Sequence, residues 1–333
     1  MALLPTAPSP PVEAIDRAYE KAALASTEAR PFSRRLGASI IGRDCSRQLW
    51  YGFRWAGRSA PPGRVLRLFE TGHLEEDRMA DDLRKVGIEV HQVDQSTGEQ
   101  FELVAVGGHF VCKLDGALIG VPEAPKAWHV WEAKTHNRRS FQKLVAVGVK
   151  GAKPEHFAQC QVGMHLAGMK RALYLAKNKD DDDLYTERLC YERNVAEDLL
   201  VRAERIVSAQ EPPPRVPEYP DGFSCRFCDY AALCRGEAVP LRVCRTCLHS
   251  TPERDGSWTC SVAAQTRSAV NGRSIHDYRA DVFPLEYDEQ LQGCRNHLYL
   301  PALVPGEIDS TDVLNIIYRV SGGLWTDGPS EAL

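Results

Sequence analysis

The chain has 333 residues, with 41 Lys and Arg against 45 Asp and Glu for a formal charge of −4, and 43% hydrophobic residues. That make-up suits a globular protein of one large domain or two; it excludes collagen-like and disordered chains and, at near-balanced charge, the coating of nucleic acid by bulk electrostatics. No apolar run approaches the roughly 18 residues of a membrane span, and the start from Met1 lacks the basic residues of a secretory signal, so a cytoplasmic protein without membrane association is expected.

In chain order, residues 1–12 carry four prolines and read as a flexible tail. Ala14, Ile15, Ala18, Tyr19, Ala22 and Ala23 set a helical period over 11–30. A long helix is predicted over 63–87, where Val65, Leu66, Leu68, Phe69, Met79, Leu83 and Val86 recur at helical spacing. The period then changes, and strands are predicted over 88–92, 101–106, 110–119 and 128–135. Helices return over 138–149 and 155–168, strands over 171–176 and 184–191, and a last helix over 195–210. Proline-rich Glu211–Pro217 ends it, since proline removes donors and clashes with the preceding turn.

Four pieces of this pattern carry chemistry. His73 and Glu76 share a face of the long helix at i, i+3. Asp115 precedes Gly116 within a strand, and Glu132 and Lys134 lie on one side of the next strand at i, i+2. His156, Gln159 and Gln161 follow on a helix. Asp115 and Glu132 are hard oxygen ligands suited to Mg²⁺ or Mn²⁺, and His73 adds a nitrogen that tolerates Mn²⁺. Such an ion acidifies a bound water and stabilises charge on a scissile phosphate, with Lys134 orienting the water. Singly, Glu-x-Lys marks a solvated strand edge and Asp-Gly a turn; the ordered set points to phosphodiester hydrolysis.

In Gly72-His73 with Glu76, Asp115-Gly116, Glu132-Ala133-Lys134 and the Gln159/Gln161 helix, the chain resembles the RecB-type branch of the PD-(D/E)XK nucleases over about residues 35–236. The last helix and the basic strand after it (Met169–Tyr174) are also similar to lambda-type exonucleases. The resemblance implies an α/β fold, a mixed central sheet flanked by helices (a restriction-endonuclease-like core). It places His73, Asp115, Glu132 and the Ala133 carbonyl on the metal, Lys134 as catalytic lysine and a glutamine of the helix, Gln159 or Gln161 with Gln161 favoured, toward DNA. Where many relatives carry Gln-x-x-x-Tyr, this chain has Gln161-x-x-x-His165.

Residues 133–179 hold ten Lys or Arg against the single acid Glu155. A DNA-binding track including Arg138, Arg139, Lys143, Lys170, Arg171 and Lys177 is therefore expected. Phosphate contacts position a strand without reading its sequence, so cleavage with little sequence preference follows. The expected partner is DNA with free ends, single- or double-stranded, beside a possible recombination or repair protein.

The eleven cysteines cannot all pair internally. Cys225, Cys228 and Cys234 give C-x2-C-x5-C, three thiolates that need a fourth, with Cys45 as the candidate. RecB-like exonucleases, CRISPR-associated members included, carry one cysteine before the core and three after it, and in that group the four hold a 4Fe-4S cluster; the resemblance implies the same here. Zinc on the same four thiols is the rival. Beyond them, Cys244, Cys247, Cys260 and Cys294 suit tetrahedral Zn²⁺, with His297 the main rival for the fourth place ahead of His249 and His276. Cys112, Cys160 and Cys190 are left over and expected to be buried thiols. The organisation expected is a tail over 1–12, a nuclease domain over 13–240 closed by an iron–sulfur-bearing helical part, and a small zinc-ribbon-like module over 241–333. The leading function is a Mg²⁺/Mn²⁺-dependent DNA exonuclease in recombination, repair or phage DNA processing. A CRISPR-adaptation-type nuclease and a non-catalytic DNA- or partner-binding scaffold are the alternatives.

Overall fold

A computed structural model of the chain describes residues 10–29, 32–58, 61–262, 283–312 and 315–328. In order, the elements are α1 (Pro10–Ala29), β1 (Leu36–Gly37), α2 (Ala38–Ile41), α3 (Ser46–Phe53), α4 (Gly63–Lys85), β2 (Glu89–His91), β3 (Glu102–Ala105), β4 (Phe110–Lys113), β5 (Gly116–Ile119) and β6 (His129–His136). Then come α5 (Arg138–Ala152), α6 (Pro154–Leu166), β7 (Arg171–Asn178), β8 (Leu184–Cys190), α7 (Arg193–Ser208), α8 (Phe223–Arg226) and α9 (Ala231–Arg235). The remainder is β9 (Ser250–Pro252), β10 (Trp258–Cys260), β11 (Phe283–Pro284), α10 (Tyr287–Gln290), β12 (Glu307–Thr311), β13 (Ile316–Val320) and β14 (Gly323–Asp327). The fold is mixed α/β. No helix of the described residues is long and apolar enough to cross a membrane.

The chain forms two compact units, one of residues 1–33, 59–103 and 112–196, the other of 34–58, 104–111 and 197–333. This division does not follow the boundary expected at 240/241: the residues beyond 241 belong with 34–58. They bring their own buried groups, Trp258, Leu298, Tyr299, Leu300 and Tyr318, so that part of the chain is less polar in effect than its composition suggests.

The first unit is built on a five-stranded sheet of order β2-β5-β6-β7-β8. β6 and β7 are parallel and the other neighbours antiparallel. Strand alternation divides the residues of β6 between two faces. Trp131 and Ala133, with Leu173 and Leu175 of β7, pack on Met79, Ala80 and Leu83 of α4. Val130 turns the other way, against Gly163 of α6, where an added Cβ would lie 3.6 Å from its side chain. Glu132 and Lys134 share that second face. The strand expected over 110–119 is two, broken at Leu114–Asp115, and the break brings Asp115 to the end of β5. Gly116 begins β5 opposite Trp131, and a Cβ there would meet His91 O at 2.7 Å, so only glycine admits this approach. α1 lies along α4 through the Asp16–Arg67 ion pair and a hydrogen bond from Gly63 N to Glu20 (2.8 Å).

In the second unit, β9, β10 and β11 form one antiparallel sheet and β12, β13 and β14 another; the latter was not anticipated from the sequence. α3 is stitched to the chain that follows α7. Trp50 Nε1 donates to Ala209 O at 2.9 Å, and Arg47 Nε to Pro213 O at 2.7 Å.

A candidate acidic site and two thiol groups

The end of β5 and the middle of β6 bring the expected acidic residues together. Asp115 Oδ2 accepts from the Ala133 N–H at 2.8 Å and faces Lys134 Nζ at 3.5 Å. Lys134 Nζ also donates to the Ala133 carbonyl at 3.0 Å and is ion-paired with Glu132. Glu132 is 1% exposed. Burial pushes its carboxyl up to about 8 against the opposing pull of Lys134, with Asp115 and Glu76 adding to the rise. For Lys134, burial acts downward, but Glu132 and Asp115 outweigh it and raise the ammonium, which stays charged.

Glu76, on α4, belongs to this group. Burial, then Asp115, pushes its carboxyl up to about 7, while Lys134 pulls the other way. The i, i+3 spacing from His73 carries the signal in the sequence, but it does not rank the two residues. In the structure His73 is exposed one turn before Glu76. Three carboxylates thus share one ammonium, and Lys134 sits on the Glu132 carboxylate and the Ala133 carbonyl. Among the described residues no group of three or more His, Cys, Asp or Glu is arranged as a metal site.

Gln161 is placed elsewhere. It is fully buried, donates through Nε2 to Cys190 O (2.8 Å) and accepts at Oε1 from Glu192 N (2.7 Å). Both ends of the amide are committed to the backbone after β8, so it braces α6 rather than facing a ligand. Cys112 and Cys160 are buried, and burial followed by the Glu132 carboxylate raises both thiols. Cys190 corrects the expectation: it is exposed, because it points outward on the alternating edge strand β8.

Behind Lys134 runs a hydrogen-bonded string that no motif announced. Ser140 Oγ meets His136 Nδ1 (3.2 Å), His136 Nε2 meets the Tyr174 hydroxyl (3.0 Å), and the hydroxyl meets His156 Nδ1 (2.8 Å). Burial pushes His136 down to about 4 and His156 to about 3, with Lys134 and Lys153 adding to both. A folded-state value below the unfolded one of about 6.5 gives stability that is complete above that pH and lost as pH falls through the folded values. Stability should therefore drop by about 1–3 kcal/mol per histidine between about pH 6.5 and 3. A urea-unfolding series against pH checks this, and His136→Gln with His156→Gln should flatten the acid limb.

The expected DNA track divides. Arg139 and Lys143 lie exposed on α5. The Lys170 ammonium stands 4.3 Å over the Tyr191 ring, and Arg171 opens β7 half-buried. Arg138 is tied to the turn between β7 and β8, its N–H to Asp180 (2.7 Å) and its guanidinium to Asp181 (3.5 Å). Lys177 is 4% exposed and paired with Glu75 (2.6 Å) and Asp182 (2.8 Å). The acids of that turn thus absorb cations expected for DNA. Lys177→Met should lower stability by about 2 kcal/mol in urea unfolding while leaving DNA affinity unchanged. α5 itself breaks at Gly148, whose φ of 69° frees Val149 N to donate to Glu187 at 2.7 Å.

In the second unit, Cys45, at the start of α3, lines one cavity with Cys225, Cys228 and Cys234. These thiols sense one another: burial first, then Cys45 and Cys234, raises Cys225. For Cys228 burial again leads and Cys45 adds to the rise, although the Tyr230 N–H favours its thiolate. A second cavity, of about 290 Å³, is lined by Cys244, Cys247, Cys260, Cys294, His249 and His297 among others. Burial and then the neighbouring thiols push Cys244 up to about 12. His276 lies outside the described residues.

No family model matches the chain, and no curated protein matches it. Among solved structures it is similar to an alkaline exonuclease (LHK-Exo) from Laribacter hongkongensis, at 15% identity over 52% of this chain and 86% of that one, with a TM-score of 0.39. The complex of LHK-Exo with dAMP gives 14% identity, the same coverage and a TM-score of 0.37. SSO0001 is 14% identical over 69% of this chain and 99% of that one, with a TM-score of 0.40.

Proposed function

We propose that the chain is a divalent-metal-dependent nuclease of the RecB-like PD-(D/E)XK type, hydrolysing DNA from free ends with little sequence preference. The observation that carries the reading is the convergence of Glu76, Asp115 and Glu132 on the single ammonium of Lys134. Asp115, Glu132 and the Ala133 carbonyl, with Glu76 and His73 from α4, would hold Mg²⁺ or Mn²⁺. When bound, the ion supplies an acidified water and neutralises charge on the phosphate. Lys134, held by Asp115 and the Ala133 carbonyl, would supply the positive charge that orients a water and offsets developing negative charge. Arg139 and Lys143 extend exposed cations along α5 for the phosphate backbone. The cofactor set of this reading also includes a 4Fe-4S cluster on Cys45, Cys225, Cys228 and Cys234, and Zn²⁺ on the Cys244 group.

End-labelled single- and double-stranded DNA and a closed circle, each with Mn²⁺ or Mg²⁺, test the reading. Wild type should shorten linear DNA and spare the circle, and Asp115→Ala should leave both intact. Undiminished digestion by Asp115→Ala would reject the site. Binding without digestion by any form would make the chain a scaffold.

A further inference from the structure

We propose that Cys244, Cys247, Cys260 and Cys294 form a tetrathiolate Zn²⁺ site that clamps the Arg245 guanidinium into an aromatic box, so that metal and box are gained or lost together. The inference rests on reading the Cys244 group as metal-binding and is independent of the nuclease chemistry.

Three pieces of chain are tied to one another around the cavity. The first is the knuckle 244–247, closed by Cys247 N donating to Cys244 O at 3.0 Å. The second is the end of β10, where Cys260 pairs in register with Ser250, whose N–H donates to Cys247 O at 3.2 Å. The third is Gly293–Cys294, held beside the knuckle by Gly293 N donating to Arg242 O at 2.9 Å. Four sulfurs with no open position suit a structural zinc ion rather than a catalytic one.

His297 stands behind the knuckle. Its Nε2 lies 3.1 Å from Val243 O and 3.3 Å from Thr246 Oγ1, and its ring packs edge-on against Tyr299. That assigns it to bracing the backbone next to Cys244. Its Nδ1 is buried and without a hydrogen bond, which keeps it the main rival to Cys294.

Arg245 sits inside the knuckle and Trp258 two residues before Cys260, so the enclosed guanidinium and one wall of its box are carried by ligand-bearing segments. The guanidinium lies 3.7 Å from the Trp55 ring and 4.6 Å from that of Trp258. It donates to Gln290 Oε1 (2.9 Å), Phe53 O (3.0 Å) and Arg34 O (3.0 Å). Its partners are neutral, and a buried cation held only by dipoles and π-faces stays in place only while its fork and rings stay aligned. Zinc on the knuckle and on β10 fixes that alignment.

The test is made on the full chain. After dialysis, metal analysis should find about one zinc per chain, unchanged in Cys225→Ser and lost in Cys260→Ser. Co²⁺ exchanged into wild type should show the sulfur-to-metal charge-transfer bands and visible absorption of a tetrahedral tetrathiolate. Cys294→Ser should weaken those bands and His297→Gln should leave them intact. Stripping zinc from wild type with a chelator should shift tryptophan emission to longer wavelength, and adding zinc back should restore it. A chain without tightly held zinc overturns the site. Loss of the cobalt spectrum in His297→Gln but not in Cys294→Ser overturns the ligand set. Unchanged tryptophan emission on stripping overturns the link to the box.

Discussion

Lys134→Met is expected to lower the rate of DNA hydrolysis by about 10²–10³-fold with little change in KM, as for loss of a preorganised charge at a developing oxyanion. The ammonium is the only cation against Asp115, Glu132 and Glu76 that the described geometry supplies, and Glu132, Asp115 and the Ala133 carbonyl hold it in place. Glu132→Gln should abolish activity by a different route and, in the metal-free protein, stabilise the fold. Its carboxyl is raised in the folded state, so the stability it contributes is complete below the unfolded value of about 4.5 and lost as pH rises through about 8. Urea unfolding of metal-free wild type should therefore weaken as pH rises from about 5 to 8, and that of Glu132→Gln should weaken less, the remainder coming from Glu76, whose carboxyl is also raised. Identical pH dependence in the two proteins would show that the buried carboxylate is compensated by something else. The same experiment with Mg²⁺ should narrow the difference, because an ion that binds only the folded state restores stability by mass action.

Arg245→Ala is expected to destabilise the second unit by about 3–5 kcal/mol, from three buried acceptors left without their donor and the cavity left by the side chain. Three acceptors, Gln290 Oε1, Phe53 O and Arg34 O, would lose their donor, and the rings of Trp55 and Trp258 their filling. Arg54 lies in the same aromatic cluster, 5.2 Å from the Trp258 ring, and burial pushes it down to about 10. Burial lowers Arg245 further, and Arg54 adds to the effect. Arg245→Lys should recover little, since an ammonium cannot span three acceptors and stack as a planar fork does. Arg245→Met should lose less than Arg245→Ala, because it keeps the apolar stem and carries no charge to bury. A urea midpoint for Arg245→Ala that corresponds to less than about 0.5 kcal/mol would remove the box from the account of stability.

Periodicity located the helices and strands of the first unit because their apolar faces are continuous: α4 lies within the interval 63–87 read from the spacing of Val65 to Val86. It failed at Leu114–Asp115, where the apolar alternation runs through a break in hydrogen bonding that only pairing partners reveal. Local spacing placed Glu132 and Lys134 on one side of a strand, and backbone alternation makes that a property of sequence alone. Glu76 could not be ranked against His73 in this way, since both lie on one helical face and only burial separates them. The groove was over-read for a related reason. Counting charges between 133 and 179 omits Glu75, Asp181 and Asp182, which take up Lys177 and Arg138 from outside that window or from its edge.

What the sequence by itself determined is the chemistry at short range: the Asp-Gly, Glu-Ala-Lys and Cys-x-x-Cys pieces and the periods of the elements that carry them. These follow from bond geometry within a few residues. The tertiary structure decided which distant groups meet. It brought Cys45 within reach of Cys225, 180 residues later, and set Glu76 beside Asp115. It also buried Gln161, Lys177 and Arg245 in partners far along the chain. Burial depends on the whole fold, and burial determines whether a polar side chain is left for a ligand or spent on the protein itself.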